Sequence, residues 1–249
     1  MQLTENQVLV QPTLFLVPTP LAESAPQLLP AAVLATVHQL DCFICEKAKT
    51  ARHFIKSIGH PKPISELFFE EIDDREPTAA PDFFLEKIRN GHSIGLVSEA
   101  GCPGVADPGA EIVALAHKNG VKVEPLVGPS SILLALMASG MNGQRFCFHG
   151  YLSPKRPELM ADFRRLEQES ERHDQTQVII ETPYRNNAFV ESALAALQPD
   201  TFFCIAVDLT APTQLVHSQR VSTWKKAKLP DLHKRPAIFL LYRKRGRRV

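Results

Sequence analysis

The stretch SEAGCPGVADPG, residues 98–109, holds two acids, three glycines and two prolines in twelve residues. It follows the apolar run SIGLVS and leads into the helical pattern AEIVALAHKNG. A strand buried on both faces of a parallel sheet reads as an unbroken apolar run, and ligands of open α/β sheets sit beyond the carboxyl ends of such strands. There glycine lets backbone approach a ligand closely. The stretch therefore reads as a strand-to-helix turn at a small-molecule site. Pro108 suits the first turn of the next helix and Asp107 its N-cap, so the second half has a purely structural reading. Ser98, Glu99, Ala100 and Gly101 have less need of one.

The same alternation extends outward. TLFLVP (13–18), DCFICE and VKVEPLV read as strands, and LLPAAVLATVHQL, AKTARHFIKSIG and PDFFLEKIRNG as helices. The proline- and acid-rich PKPISELFFEEIDDREPTAAP reads as a long loop or lid. This order predicts the α/β class, a parallel sheet with helices on both faces. After GPSSILLALMASG the texture changes. RFCFHGYL opens a second unit in which a helix over 157–172, with Leu159, Met160, Phe163 and Leu166 on one face, is followed by QVIIET, the helix YRNNAFVESALAALQ, and the strands FFCIAVDLT, QLVHSQRVS and RPAIFLLYRK. More strand per helix predicts a mixed sheet. The expected division is an N-terminal α/β lobe over 1–127 and a C-terminal α/β lobe with a basic tail over 128–249.

Composition narrows the class. With 44% hydrophobic and 22% charged residues, the chain is globular rather than disordered or collagen-like. It has no window of about 18 apolar residues, so no membrane span is expected, and MQLTENQVLV lacks the basic start and apolar core of a signal peptide. A cytoplasmic location follows as the expectation. Five cysteines, an odd number, read as reduced thiols rather than a disulfide framework. Cys42 and Cys45 form a C-x-x-C, but it lies in a strand and no second Cys/His pair follows, so core thiols are favoured over redox or zinc chemistry. No dinucleotide, P-loop, H-E-x-x-H or G-x-S-x-G signature is present, and no metal is expected.

Charge is unevenly spread. Residues 1–127 hold 10 Lys and Arg against 16 Asp and Glu, whereas 128–249 hold 18 against 11. The terminal RKRGRR, Arg243 to Arg248, could meet phosphates or form a solvated tail. A second glycine-rich turn, Gly128, Pro129, Ser130 and Ser131, opens another helix after the next strand. Two such turns suggest one small-molecule cleft offering amides and hydroxyls to a carboxylate or phosphate, although Ser130 could simply cap its helix.

SEAGCPGVADPG, GPSSILLALMASG, RFCFHGYLSPK, ETPYR and VDLT, in that order, resemble the tetrapyrrole methylase superfamily, specifically its branch of 16S ribosomal RNA ribose-2′-O-methyltransferases. The resemblance spans about Leu14 to Leu241. It implies two α/β lobes, S-adenosylmethionine held in the cleft between them, RNA of the small ribosomal subunit as partner, and a homodimer. By matching motif it implies that Pro18, Thr19, Ser98, Glu99, Ala100, Gly101, Val105 and Asp107 bind the cofactor from the first lobe. Ser130 and Ser131 match the second turn, and Tyr151, Leu152, Thr182, Pro183, Leu209 and Thr210 match the second-lobe motif ends. A ligand-facing Gly101 would lose cofactor binding on replacement by valine with little change in melting temperature.

The chain departs from that branch at two places. Glu46-Lys47-Ala48-Lys49 stands where the branch has Glu-Asp-Thr-Arg, and Phe68-Phe69-Glu70-Glu71 where it has a histidine-rich acceptor segment. Glu46 is the candidate catalytic group, able to take a hydroxyl proton, or else an exposed acid paired with Lys49 or Arg52. The alternatives to 16S methylation are another RNA site, a small-molecule acceptor, or a cofactor-binding protein without turnover.

Overall fold

The computed structural model describes residues 11–22, 28–73 and 78–244, and the chain separates into two compact units, Met1–Pro129 and Ser130–Val249. The N-terminal decapeptide, part of the acidic segment after Asp73 and the tail beyond Lys244 lie outside the described residues.

In the first unit, strands β1 (Thr13–Val17), β2 (Cys42–Cys45), β3 (Phe68–Glu71), β4 (Ile94–Val97) and β5 (Lys122–Pro125) form a sheet in the order β3-β2-β4-β1-β5. Every pairing is parallel. All residues of β2 and β4 are buried, which explains their unbroken apolar sequence. Helices α1 (Ala31–Val37) and α2 (Ala48–Ser57) cover one face, where Val33, Val37, Phe54 and Ile55 pack with Val17, Phe43 and Val97. On the other face, Phe84 of α3 (Ala80–Arg89) and Ile112 of α4 (Ala110–Lys118) pack with Leu14, Ile44 and Leu96. Alternation along β2 sends Cys45 into the first layer and Cys42 into the second. Burial pushes the Cys42 thiol up to about 11 and that of Cys45 to about 12, so both are protonated core groups.

One expectation is overturned here. The segment read as loop or lid contains β3, which pairs with β2 from Cys42↔Phe68 to Cys45↔Glu71. Its two acids hide a strand, and tertiary contacts override that weak propensity. Phe69 stacks on Phe43 at 5.3 Å, with the Arg52 guanidinium 5.1 Å from its ring. Glu71 Oε1 accepts the Ala48 N–H at 2.7 Å, capping α2, whose N-cap Lys47 makes no side-chain capping bond.

The second unit contains α5 (Ser131–Ser139), β6 (Phe146–Phe148), α6 (Arg156–His173), β7 (Thr176–Glu181), α7 (Asn186–Ala196), β8 (Phe202–Val207), β9 (Leu215–Arg220), α8 (Val221–Trp224) and β10 (Ala237–Tyr242). The sheet runs β6-β7-β10-β8-β9. Only β6 and β7 are parallel; the other pairs are antiparallel, giving the expected mixed sheet. Leu159, Phe163 and Leu166 of α6 pack with Phe189 of α7 and Phe239 of β10, and Met160 lies at the margin of that cluster. Helix α7 starts later than its sequence pattern suggested, leaving Tyr184 and Arg185 in the preceding turn.

Glu167 of α6 is buried and accepts the Gln198 N–H at 2.8 Å and the Thr201 hydroxyl. Arg243 stands 3.8 Å from Glu167, 3.0 Å from Glu171 and 3.1 Å from Asp200. The first arginine of the basic tail is therefore engaged in ion pairs with the protein's own acids, and the rest of the tail lies outside the described residues.

Candidate active site

The carboxyl ends of all five first-unit strands lie along one edge. The chain leaves β1 and β2 toward the face of α1 and α2, but leaves β4, which lies between them, toward the opposite face of α4. Such a divergence opens a crevice at the strand ends, the usual ligand position in open α/β sheets. The residues at the end of β4 are Ser98, Glu99, Ala100 and Gly101.

Thr19, just past β1, and Gly101 exchange backbone hydrogen bonds of 2.9 and 3.1 Å. The Ser98 hydroxyl donates to the Gly101 carbonyl at 2.6 Å, and the Thr19 hydroxyl to the Ser98 carbonyl at 3.2 Å. Thr19 and Ser98 are buried, so these bonds form a rigid latch between two strand ends. Gly101 holds φ +88, where an L side chain is strained, and an added Cβ would lie 3.2 Å from Leu21 Cδ2 and 3.3 Å from the Pro129 carbonyl oxygen. This corrects the expectation for Gly101→Val: the change strains the turn itself, so the melting temperature falls together with any loss of binding.

Gly128 lies closer still to its neighbour. A Cβ there would fall 2.2 Å from Pro18 Cβ, so Pro18 and the turn after β5 touch through a bare backbone. The Cys102 thiol donates to the Pro129 carbonyl at 3.4 Å, joining the two glycine-rich turns.

An acidic group surrounds this latch. Lys47 Nζ stands 3.7 Å from Glu46 and 3.9 Å from Glu99, bringing the ends of β2 and β4 together. The ionic partner of Glu46 is thus Lys47, in place of the expected Lys49 or Arg52. Those two side chains lie further along α2, whereas Lys47 precedes the helix. Asp107 also departs from expectation. The N-cap of α4 is Gly109, with no side-chain capping bond, and Pro108 precedes it. Asp107 is instead turned toward Glu99, whose backbone it meets in a hydrogen bond, while its Oδ2 is buried without a partner. Val105 and Ala100 are exposed.

Burial, reinforced by Glu46, raises the Asp107 carboxyl from 3.8 to about 6. The folded state therefore holds this proton more tightly than the unfolded chain. The stability it contributes is complete below pH 3.8 and is lost as pH rises through about 6. Asp107→Asn, which mimics the protonated form, is expected to gain stability over the parent as pH rises through that window and to keep the gain above it. Melting curves from pH 4 to pH 8 check this, and a pH-independent difference between the two proteins contradicts it.

In the second unit, β6, β7 and β8 run in one direction, so their carboxyl ends also share an edge. Tyr151 and Leu152 follow β6, Thr182 and Pro183 follow β7, and Leu209 and Thr210 follow β8. Tyr151 is exposed, while Leu152 and Leu209 are largely buried. Thr182 donates through its backbone N–H and its hydroxyl to Glu181 Oε1, at 2.7 and 3.2 Å. Thr210 holds φ +74, an unusual conformation for a β-branched residue, and its hydroxyl oxygen is buried without a partner. Ser130 caps α5 by accepting the Leu133 N–H at 3.4 Å, and Ser131 is the first residue of that helix. Nothing in consecutive residues marks Lys47 as the bridge between acids or Gly128 as a contact point, apart from the glycine identity of the latter next to a proline.

A parallel α/β unit with glycine-rich turns at its divergent strand, followed by a mixed-sheet α/β unit, has the make-up of the two-lobed α/β methyltransferases. The chain belongs to the tetrapyrrole (corrin/porphyrin) methylases, whose family model matches residues 13–223. Among curated relatives, it is similar to ribosomal RNA small subunit methyltransferase I of Haemophilus influenzae, 29% identical over 218 residues covering 88% of this chain and 73% of that protein. The protein of the same name from Vibrio cholerae is 28% identical, covering 89% of this chain and 75% of its own. Among solved structures, diphthine synthase matches with TM-score 0.64 at 16% identity, covering 92% of this chain and 89% of that one. The methyltransferase CobJ matches with TM-score 0.63 at 17% identity, covering 96% and 97%. At such identities these structures speak for the fold alone.

Proposed function

We propose that this protein uses S-adenosylmethionine to methylate RNA of the small ribosomal subunit, at a ribose 2′-hydroxyl, and works in the cytoplasm as a homodimer. The observation that carries the cofactor reading is the latch of Thr19, Ser98 and Gly101 at the divergent strand end, which keeps bare backbone where a ligand of this fold class binds. The Asp107 Oδ2 atom, buried without a partner beside that strand end, fits a polar ligand that can donate a hydrogen bond. The carboxylates of Glu46, Glu99 and Asp107 suit a ligand with cationic groups.

When bound, the sulfonium supplies an activated methyl group, so the protein's main task is alignment of donor and acceptor. In this reading Pro18, Thr19, Ser98 and Gly101 hold the ligand against backbone. Glu99 is kept in place by Lys47, and Glu46 is the carboxylate that receives the acceptor's proton. The RNA part rests on the named relatives. The departures from the branch have structural roles here: Lys47 bridges two acids, and Glu71 caps α2.

The test is incubation with methyl-labelled S-adenosylmethionine and small ribosomal subunits, free ribosomal RNA or cell extract, with calorimetry of cofactor binding alongside. Label in RNA is the expected result. Binding without transfer to any RNA identifies a cofactor-binding protein that lacks turnover, and the absence of binding refutes the whole reading.

A further inference from the structure

Tyr184 is the most exposed of the Phe, Tyr and Trp rings among the described residues, at 71% of its full accessibility, in the turn between β7 and α7. It does not belong to the second-unit core, and the latch of the first unit does not involve it. An exposed tyrosine is unremarkable when it stands alone. This one is built into a cluster by a segment about 50 residues further along the chain.

The Lys234 N–H donates to the Pro183 carbonyl at 3.0 Å, tying the loop before β10 to the turn after β7. Lys234 itself holds φ +60. That placement sets the His233 ring 6.0 Å from the Tyr184 ring at 77° and Lys234 Nζ 5.8 Å from the ring centre. His233 and Lys234 are both exposed.

Neighbouring acids are committed elsewhere. Glu181 pairs with Arg185 at 3.0 Å, and Asp208 with Arg235 at 2.8 Å. Asp231 accepts from Asn187 at 3.0 Å and from the His233 backbone at 3.1 Å. Among the described residues Lys234 makes no ion pair, so its charge stays available beside the ring. The patch thus joins a largely exposed ring to an unneutralised cation beside it.

We propose that Tyr184, flanked by His233 and Lys234, is a stacking platform for an unpaired base of the RNA substrate, with Lys234 meeting the adjacent phosphate. The inference rests on the RNA reading above and adds where and in what form the RNA is held. Proteins recognise unpaired bases by stacking them on aromatic rings, while bases within an A-form duplex are already stacked and unavailable. A cation next to the ring matches the phosphate that follows each base. Charge complementarity and ring exposure therefore both favour single-stranded RNA, whereas a purely electrostatic patch would not need the ring.

The experiment measures binding of a fluorescent single-stranded RNA and of an RNA duplex of equal length, by anisotropy over a range of salt concentrations. Proteins compared are the full chain and its Tyr184→Ala, Tyr184→Phe and Lys234→Ala variants. Tyr184→Ala is expected to weaken single-strand binding by about tenfold. It should leave the salt slope and the duplex affinity unchanged, and Tyr184→Phe should retain parent affinity. Lys234→Ala should lower the salt slope by about one unit. Calorimetry with S-adenosylhomocysteine and a melting curve accompany each variant, and both should match the parent because the substituted side chains are exposed. If the parent binds single-stranded RNA and Tyr184→Ala binds it equally well, the platform is overturned while the RNA reading stands. If the parent binds no RNA at all, both fall. An equal loss on single strand and duplex makes the patch a general phosphate site and also overturns the stacking role.

Discussion

Gly128→Ala is expected to abolish binding of S-adenosylmethionine and to destabilise the first unit by about 2–3 kcal/mol, the upper part of the range for overpacking. The new methyl group would fall 2.2 Å from Pro18 Cβ and 2.3 Å from Pro18 Cγ. Neither atom can swing away, because the pyrrolidine ring is fixed to the backbone. Relief requires the turn after β5 to separate from the turn after β1. That movement pulls on Thr19, whose paired backbone bonds to Gly101 form the latch. Fold and ligand geometry therefore fail together. Gly143→Ala is the control, since a Cβ there meets nothing within 4 Å. Calorimetry and thermal melting of both variants check the expectation. A Gly128→Ala protein that melts with the parent and binds the cofactor would show that this contact does not position the site.

The second large effect lies in the other unit. Glu167→Ala should lower its stability by about 3–5 kcal/mol, the range for removing one member of a buried charged network. The carboxylate is buried and serves three partners: the Gln198 N–H, the Thr201 hydroxyl and, at 3.8 Å, Arg243. Its removal leaves the Gln198 N–H and the fully buried Thr201 hydroxyl without their acceptor, and an unpaired buried donor is more damaging than the lost bond itself. Glu167→Gln keeps an acceptor oxygen but loses the charge facing Arg243, so it should fall between the parent and alanine. Urea unfolding of the three proteins measures the order. Because Arg243 is also held by Glu171 and Asp200, its own replacement should be milder than Glu167→Ala. A near-neutral Glu167→Ala would contradict the account of this network.

Much of the architecture is legible without coordinates because its signals are local. The runs DCFICE and SIGLVS announce β2 and β4, since strands covered on both faces have no polar side to reveal. Glycine-rich turns after β4 and β5 mark the side of the sheet where a ligand belongs, for the chain must turn sharply there whatever its tertiary context. Helix periodicity placed α6 to within a residue or two, and extra strand content marked the second sheet as mixed. The family resemblance rests on the same turns together with RFCFHGYLSPK, ETPYR and VDLT.

What depended on tertiary structure is what required residues distant in sequence to meet. FFEE carries no recognisable strand pattern; it becomes β3 because β2 offers an open row of backbone partners and Phe43 a ring for Phe69. Asp107 stands at a plausible capping position, yet the N-cap of α4 is Gly109 and Asp107 instead faces Glu99 and Glu46, where burial raises its proton affinity. Glu46 meets Lys47 and not a residue one helical turn on, because Lys47 also finds Glu99 on the neighbouring strand end. Tyr184 and Lys234 share a patch only because β7 and β10 are adjacent in the sheet. Turn chemistry and periodicity are written in consecutive residues, so the sequence determined the elements and the glycine-rich turns of this protein. Strand order, ion pairs and proton affinities arise from proximity in space, and these only the tertiary structure decided.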